Sequence, residues 1–161
     1  MDGLTEALLY AASRHQHVVE KIAPELDKGN VVICDRYLDS SLVYQGIVRD
    51  VGLDEINLIN KFAIRHNFSV YYPDLTFVFN LDPSIGLKRV AKRNETNRLD
   101  LEDIKFHEKV YEGYQRIIEA SKYFSSYTNY VVIDASRPED EVFNNVYEII
   151  KKRCSERNID V

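Results

Sequence analysis

VVICDRYLDSSLVYQG, residues 31–46, changes character halfway along. Four apolar residues, three of them β-branched, run directly into an acid, a base, hydroxyls, an aromatic ring and an amide. A short β-branched run that follows Gly29-Asn30 reads as a buried parallel strand, Val31 to Cys34. In open α/β sheets ligands bind just beyond the carboxyl ends of the strands, which is where Asp35-Arg36-Tyr37 falls. A carboxylate there can hold a magnesium ion directly or through water, and a guanidinium can grip a phosphate with two parallel hydrogen bonds. Ser41, Tyr44 and Gln45 follow on the next helix with a hydroxyl, a flat ring and an amide.

Outward from this stretch the pattern alternates. Leu8, Ala12, His15, Val19, Ile22 and Leu26 recur at helical spacing, so Thr5 to Lys28 reads as one long amphipathic helix, divided or kinked by Pro24. Ile56, Ile59, Phe62 and Ala63 mark a second helix ending near His66-Asn67. Leu75 to Leu81 is the next strand, and Asp82-Pro83 caps and opens a helix through Ala91. Ile104, His107, Tyr111, Tyr114 and Ile118 share one stripe of a third long helix. Tyr130 to Asp134 reads as the last strand. Ser136-x-x-Glu139 forms a capping box before a closing helix with Val142, Val146, Ile149 and Ile150 on its apolar face. Strands alternating with helices predict an α/β fold with a doubly wound parallel sheet.

Length and composition agree with one domain. The 161 residues are enough for a real core, and 45% hydrophobic with 29% charged residues is ordinary for a globular chain. A net charge of −5 argues against a general nucleic-acid binder, which more often carries a basic field. No apolar run approaches the ~20 residues of a membrane span, and no secretory segment opens the chain, so a reducing cytoplasm is expected. Cys34 and Cys154 have no metal-binding spacing; Cys34 reads as a small core hydrophobe on a strand and Cys154 as a surface thiol. His15 and His17 have no partner at ligand spacing and read as structural or solvated.

As a series, residues 31–46 resemble the signature of the thymidylate kinases, nucleoside-monophosphate kinases of the P-loop type that phosphorylate dTMP. The likeness continues on both sides. TEALLYAASR, residues 5–14, resembles the helix with the thymine-stacking aromatic and thymine-reading arginine of that family. YYPDLTFVFNLDP, residues 71–83, resembles its next core strand, and NRLDLEDIKFHEKVYEGYQRI, residues 97–117, its lid and following helix. The resemblance implies a three-layer α/β/α fold, ATP as phosphoryl donor, a Mg2+ ion and a homodimer formed through helices.

It also assigns roles, each with a plainer alternative. Asp35 becomes a magnesium carboxylate acting through water; otherwise it caps the turn after its strand. Arg36 becomes the contact to the acceptor phosphate; otherwise it is a surface ion pair of little energetic weight. Tyr10 and Arg14, four apart on one helical face, become a ring stacked on thymine and a donor to its carbonyl; otherwise they are a core-edge aromatic and a solvated cation. Gln45 pairs with the base edge, Tyr44 packs under the sugar, and Ser41 joins them with Ser40 as its rival. Asp39 supports the helix start. Lys92, Arg93 and Arg98 flank a polar stretch that is either a solvated loop or a closing lid, with Arg98 and Arg93 neutralising charge on the transferring phosphoryl group.

One departure accompanies the match. The glycines stand at 3, 29, 46, 52, 86 and 113, and none begins a Gly-x-x-x-x-Gly-Lys-Ser/Thr phosphate loop. Thymidylate kinases place that loop after a first strand that runs between the strands ending at Asp35 and Leu81. On this reading Met1 is an internal methionine of a longer protein, and the chain as given is poorly active. Two other readings compete with a dTMP kinase: a nucleotide-binding remnant without ATP chemistry, and a kinase of UMP or CMP. Tyr44-Gln45 and Tyr10 with Arg14 argue against the last.

Overall fold

Asp2 opens the first helix by accepting a hydrogen bond from the Thr5 backbone N–H at 3.0 Å. In the computed structural model, which describes residues 1–92, 99–100, 102–123 and 129–159, helix α1 runs Gly3–His17. It continues through a wider π-helical turn, Val18–Ile22, into α2, Ala23–Asp27. Pro24 accounts for the change of pitch. Having no N–H, it cannot satisfy the Glu20 carbonyl, and the chain widens just before it so that Ala23 N–H reaches Val18 O. Gly29, at φ 82°, then takes the left-handed conformation that ends the helix.

The buried stripe of this long helix differs from the expected one. Ala7, Ala11, Val18, Ile22 and Ala23 are buried, whereas Leu8 and Ala12 face outward and His15 is exposed with its Nδ1 3.2 Å from Ala63 O. Alanines at 7 and 11 suit the close packing of α1 against α4, Leu53–Ala63. Between them lie α3, Leu38–Ser41, and a second π-helical segment, Leu42–Val48. The second predicted helix ends at Ala63 rather than near His66-Asn67. Residues beyond it fold into a small antiparallel hairpin, β1 (Arg65–His66) and β2 (Ser69–Val70). Its two turn residues, Asn67 and Phe68, both have positive φ, 46° and 66°, the geometry that matches the twist of a two-residue hairpin.

Strand β3, Leu75–Asn80, pairs in parallel with β4, Asn129–Asp134, in register from Leu75 opposite Asn129 to Asn80 opposite Asp134. Helix α5, Pro83–Val90, follows β3 with Asp82 as its cap, as expected. Helix α6 spans Ile104–Tyr123 and α7 spans Glu139–Ser155. The predicted capping box at Ser136 does not form: Pro138 is the N-cap of α7, and Ser136 donates instead to Asp134 Oδ1 at 2.6 Å. The chain divides into two compact units. One comprises Met1–Pro73 with Lys105–Tyr127, and the other Asp74–Ile104 with Thr128–Val161.

Two expectations at the centre of residues 31–46 are overturned. Val31 to Cys34 is not a strand, and it is not buried; Ile33 is 80% exposed. Among the described residues no neighbouring strand pairs with it. The cysteines exchange places accordingly: Cys34 is exposed and Cys154, on α7, is buried. β-Branched residues favour an extended backbone, but burial needs a partner on each side.

Candidate functional site

The turn at Arg36 organises the site. Arg36 sits at φ 62°, a left-handed conformation that costs a non-glycine residue roughly 1–2 kcal/mol. Its own side chain helps hold it there: Nε donates to Ser40 Oγ at 3.2 Å, and the guanidinium lies 4.5 Å over the Tyr44 ring. Such strain persists where surrounding contacts over-determine it, and it clusters at ligand sites. Ser40 Oγ in turn lies 3.1 Å from Tyr114 OH of α6. Gly113 permits that approach; a Cβ there would stand 2.9 Å from Val43 Cγ1.

Arg14 occupies the other side of the same turn. Its Nη1 donates to Asn60 Oδ1 at 2.7 Å, and its Nη2 to Ser41 Oγ at 2.6 Å and to Tyr37 O at 3.4 Å. Burial pulls this guanidinium below its ordinary pKa, with the Tyr37 ring 5.8 Å from its centre. It remains a cation at physiological pH. Asn60 is 4% exposed, and its Nδ2 also donates to Leu38 O at 3.3 Å, so one amide ties α1, α3 and α4 together. Consecutive hydroxyls, Ser40 and Ser41, thus hold one guanidinium each. Burial raises the phenol pKa values of Tyr37, Tyr44 and Tyr114, leaving all three rings neutral.

The predicted residues are distributed unevenly. Arg14 with Ser41, and Arg36 with Tyr44, are brought into contact. Gln45 is buried and donates through Nε2 to Glu6 Oε1 at 2.8 Å. Tyr10 is half-exposed on α1, and Asp35 is exposed in the turn. Arg93 and Arg98 lie outside the described residues. Among the described residues no group of three or more His, Cys, Asp or Glu side chains could cage a metal. A single exposed carboxylate such as Asp35 fits an ion that arrives with phosphates and keeps most of its waters, as magnesium does.

Glu6, Asn60 and Tyr114 were missed as site residues. Glu6 had a signal, since it shares a helical face with Tyr10 and Arg14 at spacings of four. Asn60 had a weaker one, a lone amide one turn after Ile56 in an apolar stripe. Tyr114 was legible only as core.

A family model described as thymidylate kinase matches residues 1–146. The chain is 51% identical over 155 residues to the thymidylate kinase of Geobacillus thermodenitrificans, covering 95% of this chain and 65% of that protein. Against that of Clostridium novyi it is 49% identical over 154 residues, covering 94% and 70%. The solved thymidylate kinase of Ehrlichia chaffeensis superposes with a TM-score of 0.64 at 24% identity, covering 94% of this chain and 66% of that one. That likeness shows the expected α/β kinase fold. The chain spans about 65% of the length of its two Geobacillus relatives.

Proposed function

The chain belongs to the thymidylate kinase family, and from that premise we propose that it carries the dTMP-binding side of an ATP-dependent dTMP kinase. The reaction passes the γ-phosphoryl group of ATP to the 5′-phosphate of dTMP and releases dTDP and ADP. The observation that supports this best is the pair of guanidiniums at one turn, Arg14 on Ser41 and the strained Arg36 on Ser40. Phosphoryl transfer asks a protein mainly for positioning and charge stabilisation, and two cations fixed by adjacent hydroxyls supply both.

In this reading Arg36 takes the acceptor phosphate and Arg14 donates to a thymine carbonyl. Tyr10 stacks on the base, Gln45 reads its edge, Tyr44 lies under the sugar, and Ser41 fixes Arg14 while facing the nucleotide. Arg93 and Arg98 close over the donor phosphates. Magnesium, held by Asp35 through water and by the phosphates, would neutralise charge on the transferring group.

Titration with dTMP and with thymidine tests the assignment. The protein should bind dTMP more tightly, and Arg36→Ala should weaken dTMP at least ~10-fold, the equivalent of one charge-assisted hydrogen bond, while leaving thymidine nearly unchanged. Equal affinity of the parent protein for both ligands would remove Arg36 from the phosphate. A second reading is nucleotide binding without phosphoryl transfer. A coupled ADP-release assay separates the two, because turnover on the order of 1–100 s⁻¹ belongs only to the kinase.

Association into a homodimer belongs to the same proposal. Leu8 and Leu9 on α1 and Leu58 and Phe62 on α4 are largely exposed, an apolar surface suited to an isologous helical interface. No helix among the described residues is long and apolar enough to cross a membrane. A cytoplasmic location, where ATP and dTMP are available, is part of this reading.

A further inference from the structure

Glu6 and Gln45 form a buried polar pair on facing elements, α1 and the π-helical segment Leu42–Val48, at 7% and 4% exposure. Gln45 Nε2 donates to Glu6 Oε1 at 2.8 Å, and Arg49 Nε lies 3.9 Å from the same oxygen. The Arg49 guanidinium is itself 5.9 Å from the centre of the Phe106 ring. The guanidinium at 3.9 Å favours the carboxylate form of Glu6, and a carboxylate can only accept hydrogen bonds.

That asymmetry matters for a glutamine. Its amide has nearly the same shape when its oxygen and nitrogen exchange places, so an unrestrained amide can meet a ligand as donor or as acceptor. Against Glu6 the exchanged orientation would put oxygen against a carboxylate oxygen. The amide is therefore held with its NH2 toward Glu6, and Oε1 becomes the acceptor left for a ligand. Among the described residues Gln45 Oε1 accepts no hydrogen bond.

We propose that Glu6 is a positioning residue that fixes Gln45 as a hydrogen-bond acceptor, and so makes the site select a pyrimidine whose N3 carries a proton. Thymine and uracil offer N3–H as a donor. Cytosine presents a bare N3, an acceptor, and would face the Gln45 oxygen with no proton between them. Selection against a dCMP-like ligand thus comes from a repulsive pairing imposed by a residue that need not touch the base. The inference rests on the reading of this site as one for a pyrimidine monophosphate.

Binding of dTMP and dCMP to the purified protein, measured by titration calorimetry, tests it with two variants. In Glu6→Gln the residue at position 6 can donate as well as accept, which frees Gln45 to present either edge. The preference for dTMP over dCMP should fall at least ~10-fold, mostly through tighter dCMP binding, because a mispaired buried polar group is what excludes the wrong ligand. In the reciprocal exchange Glu6→Gln with Gln45→Glu, the hydrogen-bonded pair is kept with its polarity reversed. The introduced carboxylate at position 45 is acceptor-only, so the preference should return. A purely structural role predicts otherwise: Glu6→Gln weakens both nucleotides by the same factor, and that result would overturn the proposal. Should the single variant not fold, the exchange decides alone, since loss of preference in a folded double variant also overturns it. If the parent protein binds neither nucleotide, the reading of the site fails; if it prefers dTMP and Glu6→Gln leaves the ratio unchanged, only the role of Glu6 fails.

Discussion

Asn60→Ala is the most direct test of how the candidate site is held. The amide accepts from Arg14 Nη1 at 2.7 Å and donates to Leu38 O at 3.3 Å, and it is buried between three helical elements. A hydrogen bond to a charged group contributes about 1.5–3 kcal/mol, and a neutral one about 0.5–1.5. The Leu38 contact is long and belongs at the low end. Truncation removes both and leaves a half-buried guanidinium with Ser41 Oγ and Tyr37 O as its remaining acceptors. The expected loss is about 2–4 kcal/mol, a large part of a domain's usual ~5–15 kcal/mol. Urea unfolding followed by far-UV circular dichroism should show the midpoint falling with the slope unchanged. Affinity for dTMP should fall as well, because Arg14 loses its shortest link to α4. A stability change below about 0.5 kcal/mol, the range of an ordinary surface substitution, would refute the claim that Asn60 anchors Arg14.

Three further outcomes follow from the same geometry. At position 36, glycine should be more stable than alanine by about 1 kcal/mol, since both lack the guanidinium and only glycine escapes the left-handed strain; paired thermal melts check this, and both variants should bind dTMP weakly. Burial raises the phenol pKa values of Tyr37, Tyr44 and Tyr114 above that of an unfolded tyrosine, about 10. Their contribution is intact below that pH and is lost as pH rises through the folded values. Of the chain's eleven tyrosines these three should appear in tyrosinate absorbance as a late phase beyond pH ~10, coincident with the loss of circular dichroism; a titration that reaches completion with no late phase would contradict the burial. In the native protein a water-soluble thiol reagent should label Cys34, at a rate that climbs with pH because partial burial and the Asp35 carboxylate raise its pKa, and Cys154 only on unfolding; labelling of two thiols in the native protein would place Cys154 at the surface.

Local chemistry made much of the molecule legible. Asp82-Pro83 specifies a helix start through a side-chain acceptor and a preset φ, and the helix begins there. Pro24 divides the first long helix because a missing N–H acts on its own turn, whatever the surroundings. Residues 31–46 point to the chemistry proposed for the site, because the order of acid, base, hydroxyls, ring and amide is itself the information.

Tertiary contacts decided the rest. Val31 to Cys34 has the composition of a core strand yet lies exposed, since a strand is buried by its neighbours and none pairs with it among the described residues. Cys34 is exposed for the same reason, whereas Cys154 is buried on α7. Ser136 carries the signature of a cap, but Asp134, two residues away, competes for it and wins. Most telling are Asn60 and Glu6, a polar side chain in an apolar stripe and an acid on a surface helix when viewed alone. Their meaning comes from Arg14, 46 residues from Asn60, and from Gln45, 39 residues from Glu6. Periodicity shows which face a residue occupies, but a buried hydrogen bond depends on what the chain brings opposite that face, and only the folded structure supplies it.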